Sequence, residues 1–219
     1  MALKKSLSFL EALGHNNDRD WMQANKPAYQ EARDEFLSFV SEAITLLATH
    51  DEGLITLDAK KSIFRINRDI RFSKDKSPYK QNFGMYLSEG GKKSDKAGYY
   101  FHLQPGDNSF LAGGIYAPNA ENLSKIRQEI DYNAAELKQI VDRKEFNNLF
   151  GTIQGDSLKR APKGYTEDHP NIDLLKLKSF IVMYKVSDAQ ILQWSSAEEC
   201  VNVLKEIKPL NDYLNVAIS

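Results

Sequence analysis

Residues 83–116, FGMYLSEGGKKSDKAGYYFHLQPGDNSFLAGGIY, contain the pattern that decides the fold. Apolar side chains occupy alternate positions in 83–87 and in 99–103, which is typical of strands that bury one face. The alternating residues are Phe83, Met85, Leu87, Tyr99, Phe101 and Leu103. Turn residues at 105–108 precede a third apolar run at 110–116. The sequence therefore predicts antiparallel strands joined by hairpins.

Helical periodicity lies on both sides of this region. Before it, amphipathic stripes cover residues 3–13 and 29–47. After it, Asn119 and Asn133 precede further apolar stripes, and Ser195 with Glu198 has the spacing of a capping box. Pro209 is expected to bend or break the last helix.

A second β signal, the apolar run Phe180–Val186, lies between these later helices. Helices and strands that do not alternate regularly are typical of the α+β class. We therefore predict a single α+β domain over residues 1–219. Its antiparallel sheet is expected from residues 62–116 and 180–186, covered by helices from both ends of the chain.

Composition limits the classes of partner. The chain of 219 residues has 29 basic and 30 acidic side chains, so its net charge of -1 gives no overall attraction to nucleic acid or to an anionic membrane. The longest apolar run after the N-terminal segment, Phe180–Tyr184, is far shorter than the roughly 20 residues that span a bilayer. A nucleic-acid partner is therefore less expected than a small ligand, and no membrane association is expected. With no export signal and a lone thiol, the cytoplasm is the expected compartment.

Cysteine and histidine are too sparse for the common metal signatures. The only cysteine, Cys200, lies among apolar residues at helical spacing, where a thiol usually behaves as a small buried hydrophobe. The four histidines are scattered, and none forms an i,i+4 pair. Neither a metal nor a cofactor is expected from the sequence.

The most unusual segment is basic. Residues 58–80 hold eight basic side chains against three acidic ones, a local charge of +5 in a nearly neutral chain. If Ile63–Phe72 is extended, Arg68 shares a face with the apolar residues and is expected to be the most buried arginine of the segment. Such a guanidinium is expected to be held by a carboxylate or by backbone carbonyls from another segment, because an unpaired buried charge is costly.

Two readings of this segment stay open. In the first, Arg65, Arg71, Lys76 and Tyr79 converge on a phosphate or carboxylate, which guanidinium forks and a lysine bind well. In the second, the alternating charges form a structural ion-pair network that includes Arg68 and Asp69 and binds nothing.

His102 is the one histidine with a candidate role. Strand alternation places it on the same face as Tyr100 and Gln104, opposite the apolar residues. This polar trio is expected either on the solvent face of the sheet or in a cleft. Tyr100 and His102 are therefore candidate site residues of second rank.

The basic segment also carries a resemblance. Its pattern RxxRDxRF at 65–72, followed by DKxxY at 75–79, resembles the signature of the DUF2461 family. Other stretches agree with that family over nearly the whole chain, including NDRDW at 17–21, PKGY at 162–165 and LKLKS at 175–179. The resemblance implies one domain of bacterial, cytoplasmic type. It implies no reaction, substrate or cofactor.

Two function classes follow. The first is a binding module whose segment Arg65–Lys80 holds an anionic group. The second is an enzyme acting on a phosphate or carboxylate compound, with Asp69, Tyr79 or His102 as acid or base and the arginines holding the substrate. A deep pocket where arginines meet such an acid or base would favour the enzyme.

Overall fold

A computed structural model describes residues 3–219 of the chain, which begins with three helices. They are α1 (Lys4–His15), α2 (Arg19–Ala24) and α3 (Lys26–Leu47). The leucines of the first predicted stripe are buried, and so are most apolar residues of the second. Asp18 begins α2 by accepting a hydrogen bond from the Trp21 amide at 2.8 Å. Both predicted helical stripes are confirmed.

A four-stranded antiparallel sheet follows. Its strands are β1 (Phe83–Leu87), β2 (Gly98–Leu103), β3 (Ser109–Ile115) and β4 (Phe180–Val186). They lie in the order β1-β2-β3-β4, with β4 joining from far along the chain. The predicted α+β class, with an antiparallel sheet that includes residues 180–186, is confirmed.

The sheet begins later than predicted. A 3-10 turn at Glu52–Leu54 and the short helix α4 (Ala59–Ser62) precede a loop that pairs with β1 at an isolated bridge, where Ile63 lies opposite Met85. The loop then folds back on itself, because the Arg68 amide donates to the Pro78 carbonyl at 2.9 Å and the Lys80 amide to the Ile66 carbonyl at 2.8 Å. These bonds replace the pairing that an extended strand over residues 63–72 would make.

The remaining helices lie around β4 in sequence. They are α5 (Ala120–Asp142), α6 (Lys144–Phe150), α7 (Ile172–Leu175), α8 (Asp188–Gln193), α9 (Glu198–Leu204) and α10 (Lys208–Ala217). Helix α5 is kinked at Asn133, and a 3-10 turn at Lys205–Ile207 ends α9 before Pro209 enters the first turn of α10. The predicted break near Pro209 is confirmed. None of these helices, nor any other in residues 3–219, is long and apolar enough to cross a bilayer.

The capping box predicted at Ser195 and Glu198 is wrong. Ser195 lies two residues before the N-cap of α9, which is Ala197, and its hydroxyl contacts Glu199 at 3.1 Å. The capping box forms instead at Ser187 and Gln190, where it begins α8 directly after β4.

Helices cover one face of the sheet. Met85, Phe101, Leu111 and Val182 on that face are fully buried in a core shared with α1, α3, α9 and α10. The packing there is close, since a Cβ added to Gly113 would lie 2.6 Å from Ile207. The opposite face keeps several half-exposed side chains, and it forms one wall of the candidate site.

Candidate functional site

The uncovered face of the sheet is concave. Small residues form its floor, since Gly98 pairs with Gly114 and Ala112 lies opposite Tyr100 on the neighbouring strand. Larger side chains surround this floor, namely Phe64, Tyr86, Tyr100, Phe110, Tyr116, Ile181 and Met183. The resulting space, which we call the open-face cavity, has a volume of about 540 Å³. This volume lies within the usual range of small-molecule sites.

Glycine is required at two positions of the floor. A Cβ on Gly98 would lie 2.5 Å from the carbonyl oxygen of Leu87. Gly114 has a φ of 109°, and a Cβ there would lie 2.0 Å from the carbonyl oxygen of Phe180. The hollow therefore depends on backbone that only glycine can form.

A chain of hydrogen bonds runs along β2 at the edge of this cavity. Nε2 of His102 lies 2.8 Å from Oε1 of Gln104, and Nδ1 lies 2.9 Å from the hydroxyl of Tyr100. Because the amide oxygen of Gln104 can only accept, Nε2 carries the proton and Nδ1 accepts from Tyr100. The imidazole also stacks on Phe110, with ring centroids 4.7 Å apart.

Burial keeps both members of this pair uncharged. It lowers the pKa of His102, with a smaller opposing effect from the hydrogen bond to Gln104. It also raises the pKa of the Tyr100 hydroxyl. At neutral pH the pair is therefore a neutral imidazole beside a protonated phenol, and Tyr100 is the member that lines the cavity.

A second cavity adjoins the first and is basic. It has a volume of about 410 Å³, and we call it the basic cavity. Its lining residues are Tyr29, Arg33, Phe36, Lys60, Ile63, Phe64, Arg65, Ile66, Asn67, Phe83 and Lys92. Four of these side chains are cationic, and no carboxylate lines the cavity within residues 3–219.

The cations of this region lie close enough to repel one another. Burial is the largest cause that lowers the pKa of Lys80, and the charges of Arg65 and Lys92 lower it further. The ammonium groups of Lys80 and Lys92 lie 5.6 and 5.1 Å from the centroid of the Phe64 ring, and Lys92 donates to the Ile63 carbonyl. Across the described part of the chain, Lys60, Arg65 and Lys80 form no ion pair.

The structure does not bring the four predicted anion-binding residues together in this cavity. Arg65 lines it, whereas Arg71 donates from Nε and Nη2 to Asp69 at 2.9 and 2.7 Å. Lys76 donates to the Ile70 carbonyl at 3.0 Å. Tyr79 packs against the core, and its backbone is held by Asn17.

The ion pairs of the segment differ from the predicted Arg68 and Asp69 pair. Asp69 is bound by Arg71, whose hydrogen bonds lower the pKa of that carboxyl. Arg68 pairs with Asp75 and donates to the Ser77 carbonyl at 3.3 Å. Hydrogen bonds from Ser77, and then from Arg68, hold the pKa of Asp75 at about 2.

The prediction that Arg68 is the most buried arginine of the segment is confirmed. Its side chain is 25% exposed, against 77% for Arg71, and Arg65 is exposed too. Its carboxylate partner nevertheless comes from the same loop, and not from another part of the chain.

Sequence reasoning missed Arg33 and Lys92. Arg33 lies on the long helix α3, where a partly exposed arginine on the polar side of an amphipathic stripe carries no signal. Lys92 lies in the loop between β1 and β2, where the sequence pattern predicted a hairpin connection and no site residue. Only the path of the chain brings it beside Ile63, 29 positions earlier.

Other reactive groups lie away from both cavities. Cys200 is fully buried, which raises the pKa of its thiol well above the usual range. In residues 3–219, no three His, Cys, Asp or Glu side chains are grouped so that they could hold a metal ion.

Comparison with known proteins places the chain in a family. Neither the curated proteins nor the solved structures gave a match. The family model described as "Conserved hypothetical protein (DUF2461)" matches residues 5–213, which is nearly the whole chain. The chain therefore belongs to the DUF2461 family.

Proposed function

We propose that this protein binds a small organic anion, a phosphate or carboxylate compound, with the anionic group in the basic cavity. The observation that supports this proposal is the set of four cations, Arg33, Lys60, Arg65 and Lys92, that line one cavity without a carboxylate. Structural ion-pair networks contain both signs of charge. Cations that face a common hollow without acidic partners are typical of a site for an external anion.

The side-chain types suit this role. A guanidinium offers parallel donors to a tetrahedral or planar anion, and a lysine adds charge without strict geometry. Within residues 3–219, Arg33 is the only lining cation that forms an ion pair, with Nη1 3.8 Å from Asp34, a distance too long for a strong hydrogen bond. An anion in the cavity would offset the charges of Arg65 and Lys92, which add to burial in lowering the pKa of Lys80.

A small ligand fits the site better than nucleic acid. The basic residues line a hollow of about 410 Å³, and the chain as a whole has a net charge of -1. A nucleic-acid surface is normally a broad basic strip with exposed aromatic side chains. Phe64 is 39% exposed, but its ring lines the hollow beside Lys80, Lys92 and Tyr100.

The test is a thermal-shift titration with inorganic phosphate, with sodium chloride at matched ionic strength as the reference. At 100 times its dissociation constant, phosphate should stabilise the fold by about 2.7 kcal/mol. Arg65→Gln and Lys60→Gln should abolish most of this rise. Arg71→Gln is the matched control, because Arg71 lies in the same segment but binds Asp69.

Two results would rule the proposal out. One is a parent protein that gains no more from phosphate than from chloride. The other is an Arg65→Gln variant that responds as Arg71→Gln does, since this would assign any stabilisation to the general charge of the segment.

An enzymatic role is the second candidate, and one observation favours it. Tyr100 lines the open-face cavity, and its hydroxyl donates a hydrogen bond to a neutral His102. Such a pair can pass a proton to or from a bound substrate. Asp69 suits this work less, because Arg71 lowers its pKa and occupies both of its oxygens. Tyr100→Phe should then abolish turnover of a substrate and leave its binding in place.

A further inference from the structure

The open-face cavity and the basic cavity share a wall. Phe64 and Lys92 line both spaces, and the ring of Phe64 meets Tyr100 edge-on with centroids 6.2 Å apart. A molecule with an anionic group among Arg33, Lys60 and Arg65 therefore has the uncovered sheet face directly beyond Phe64.

On the basis of the anion binding proposed above, we infer that the ligand carries a flat ring and that this ring lies in the open-face cavity. The ligand class is thus an aromatic or heteroaromatic phosphate or carboxylate. The glycine and alanine floor gives a ring room to lie close to the sheet, and Tyr100, Phe110 and Tyr116 offer aromatic surfaces beside it.

The distribution of charge gives the ligand a direction. Asp95 lines the open-face cavity and no carboxylate lines the basic cavity within residues 3–219. Lys96, the other cationic residue at the open-face cavity besides Lys92, is paired with Glu89 at 2.6 Å. An anionic group is therefore favoured on the far side of Phe64, and an uncharged ring is favoured over the sheet.

Polar groups at the edge can orient the ring. The Tyr100 hydroxyl donates its hydrogen bond to His102 Nδ1, so its oxygen is free to accept a hydrogen bond from a ring substituent. Asn119 lies at another part of the rim, where its amide is 3.4 Å from Asp95. Few polar groups around a mainly apolar hollow are typical of a small-molecule site.

Calorimetric titration with three phosphates separates the ring from the anion. The probes are inorganic phosphate, glycerol phosphate and phenyl phosphate, which present the same charged group with no organic part, a flexible polar part and a ring. Phenyl phosphate should bind about tenfold more tightly than the other two, the gain expected from one stacked ring. Ala112→Leu fills the floor of the open-face cavity and should remove this advantage while inorganic phosphate still binds.

Two further variants complete the design. Ala189→Leu is the matched control, because Ala189 is an exposed residue of α8 outside the cavity, and it should keep the preference for phenyl phosphate. Phe110→Leu removes an aromatic surface with little change in volume and should weaken phenyl phosphate alone. This variant decides the question if Ala112→Leu does not fold.

The two proposals fail differently. If inorganic phosphate binds but phenyl phosphate binds no more tightly than glycerol phosphate, the ring site is wrong and the anion site stands. A phenyl phosphate preference that survives both Ala112→Leu and Phe110→Leu also overturns the ring site. If none of the three phosphates binds, the proposed function itself is wrong.

Discussion

The hydroxyl of Tyr100 donates to Nδ1 of His102 across 2.9 Å on the uncovered face of the sheet. The two residues are neighbours on one side of β2, with Phe101 pointing into the core between them. The imidazole is held from three further directions, by Gln104, by Asn82 at 3.4 Å and by the ring of Phe110. None of these contacts is a carboxylate, and the hydrogen bond to Gln104 favours the charged form of His102 less than burial disfavours it.

The buried imidazole should make stability depend on pH. Because the pKa of His102 is lowered from 6.5 on folding, the unfolded chain binds its proton more readily. This contribution to stability is complete above about pH 6.5 and is lost as the pH falls towards the folded pKa. The melting temperature should therefore fall between pH 7 and pH 5, and His102→Gln should reduce that fall.

The exposed His15 supplies the control for this pH dependence. His15→Gln should leave the fall between pH 7 and pH 5 as it is in the parent. The pKa of Asp75 is about 2, so that carboxyl titrates well below the window. An equal fall in the parent and in His102→Gln would show that His102 does not contribute.

Substitution of a floor glycine should lower stability much more than substitution of a glycine that has open space around it. Gly114→Ala places a Cβ 2.0 Å from the Phe180 carbonyl oxygen at a φ of 109°, so β3 and β4 must separate. We expect the free energy of unfolding to fall by about 3–5 kcal/mol, because strain and overlap act together. Denaturant unfolding measures this change.

Gly91 is the matched control, since its φ of 80° is also positive but nothing lies within 4 Å of an added Cβ. Gly91→Ala should lower the free energy of unfolding by only about 1–2 kcal/mol, the strain alone. Similar losses at the two positions would mean that the sheet adjusts to a side chain at Gly114.

Removal of Arg68 should loosen one loop and leave the core intact. Arg68 joins Asp75 and the Ser77 carbonyl within the same loop, and the Asp75 side chain is 62% exposed. Solvent screens such a pair, so its contribution to global stability is small. In Arg68→Gln, hydrogen exchange should become several-fold faster at the amides of residues 68 and 80, which close this loop.

Global stability is the control for the exchange measurement on Arg68→Gln. Its melting temperature should stay within about 5 °C of the parent value, as for a loss of at most one or two weak interactions. A larger fall, or unchanged exchange at both amides, would show that Arg68 supports more of the fold than its own loop.

Sequence predicted the parts of this fold that depend on local periodicity. The alternation at Tyr99, Phe101 and Leu103 specifies a strand with one buried face, and the apolar run 180–186 coincides with β4. Periodicity failed at residues 63–72 because their alternation is equally compatible with a loop. Only the backbone bonds between Arg68 and Pro78 and between Lys80 and Ile66 distinguish the two.

The candidate site was less predictable because it is assembled over long distances in the chain. The excess of basic residues at 58–80 drew attention to Arg65, which lines the basic cavity, but charge counts do not show which cations already have partners. Arg71 and Lys76 are engaged within their own loop, whereas Lys92 reaches Phe64 from another hairpin. Which cations are paired and which line the cavity depends on tertiary contacts, and these cannot be deduced from sequence spacing.

The cations of the basic cavity should repel one another in the protein without ligand. At low ionic strength, the parent protein should therefore be less stable than the variant Arg65→Gln. Arg65 forms no ion pair within residues 3–219, and its charge adds only a minor effect to the hydrogen bonds by which Arg71 lowers the pKa of Asp69. The charge of Arg65 also adds to burial in lowering the pKa of Lys80. Arg65→Gln removes this repulsion and breaks no ion pair. Its melting temperature should therefore exceed that of the parent near 10 mM salt, where charges interact over about 30 Å, and the difference should shrink near 1 M salt.

Arg71→Gln tests whether this gain is specific to the basic cavity. It lowers the charge of the same segment by the same amount, but it breaks the bidentate pair with Asp69, so it should not raise the melting temperature at low salt. The pKa of Lys80, followed by NMR of the labelled lysine, should rise in Arg65→Gln and stay unchanged in Arg71→Gln. If Arg65→Gln is less stable than the parent at low salt, then Arg65 makes favourable contacts in the empty protein. The cavity would then be a structural cluster, with no unbalanced charge left for an anion to neutralise.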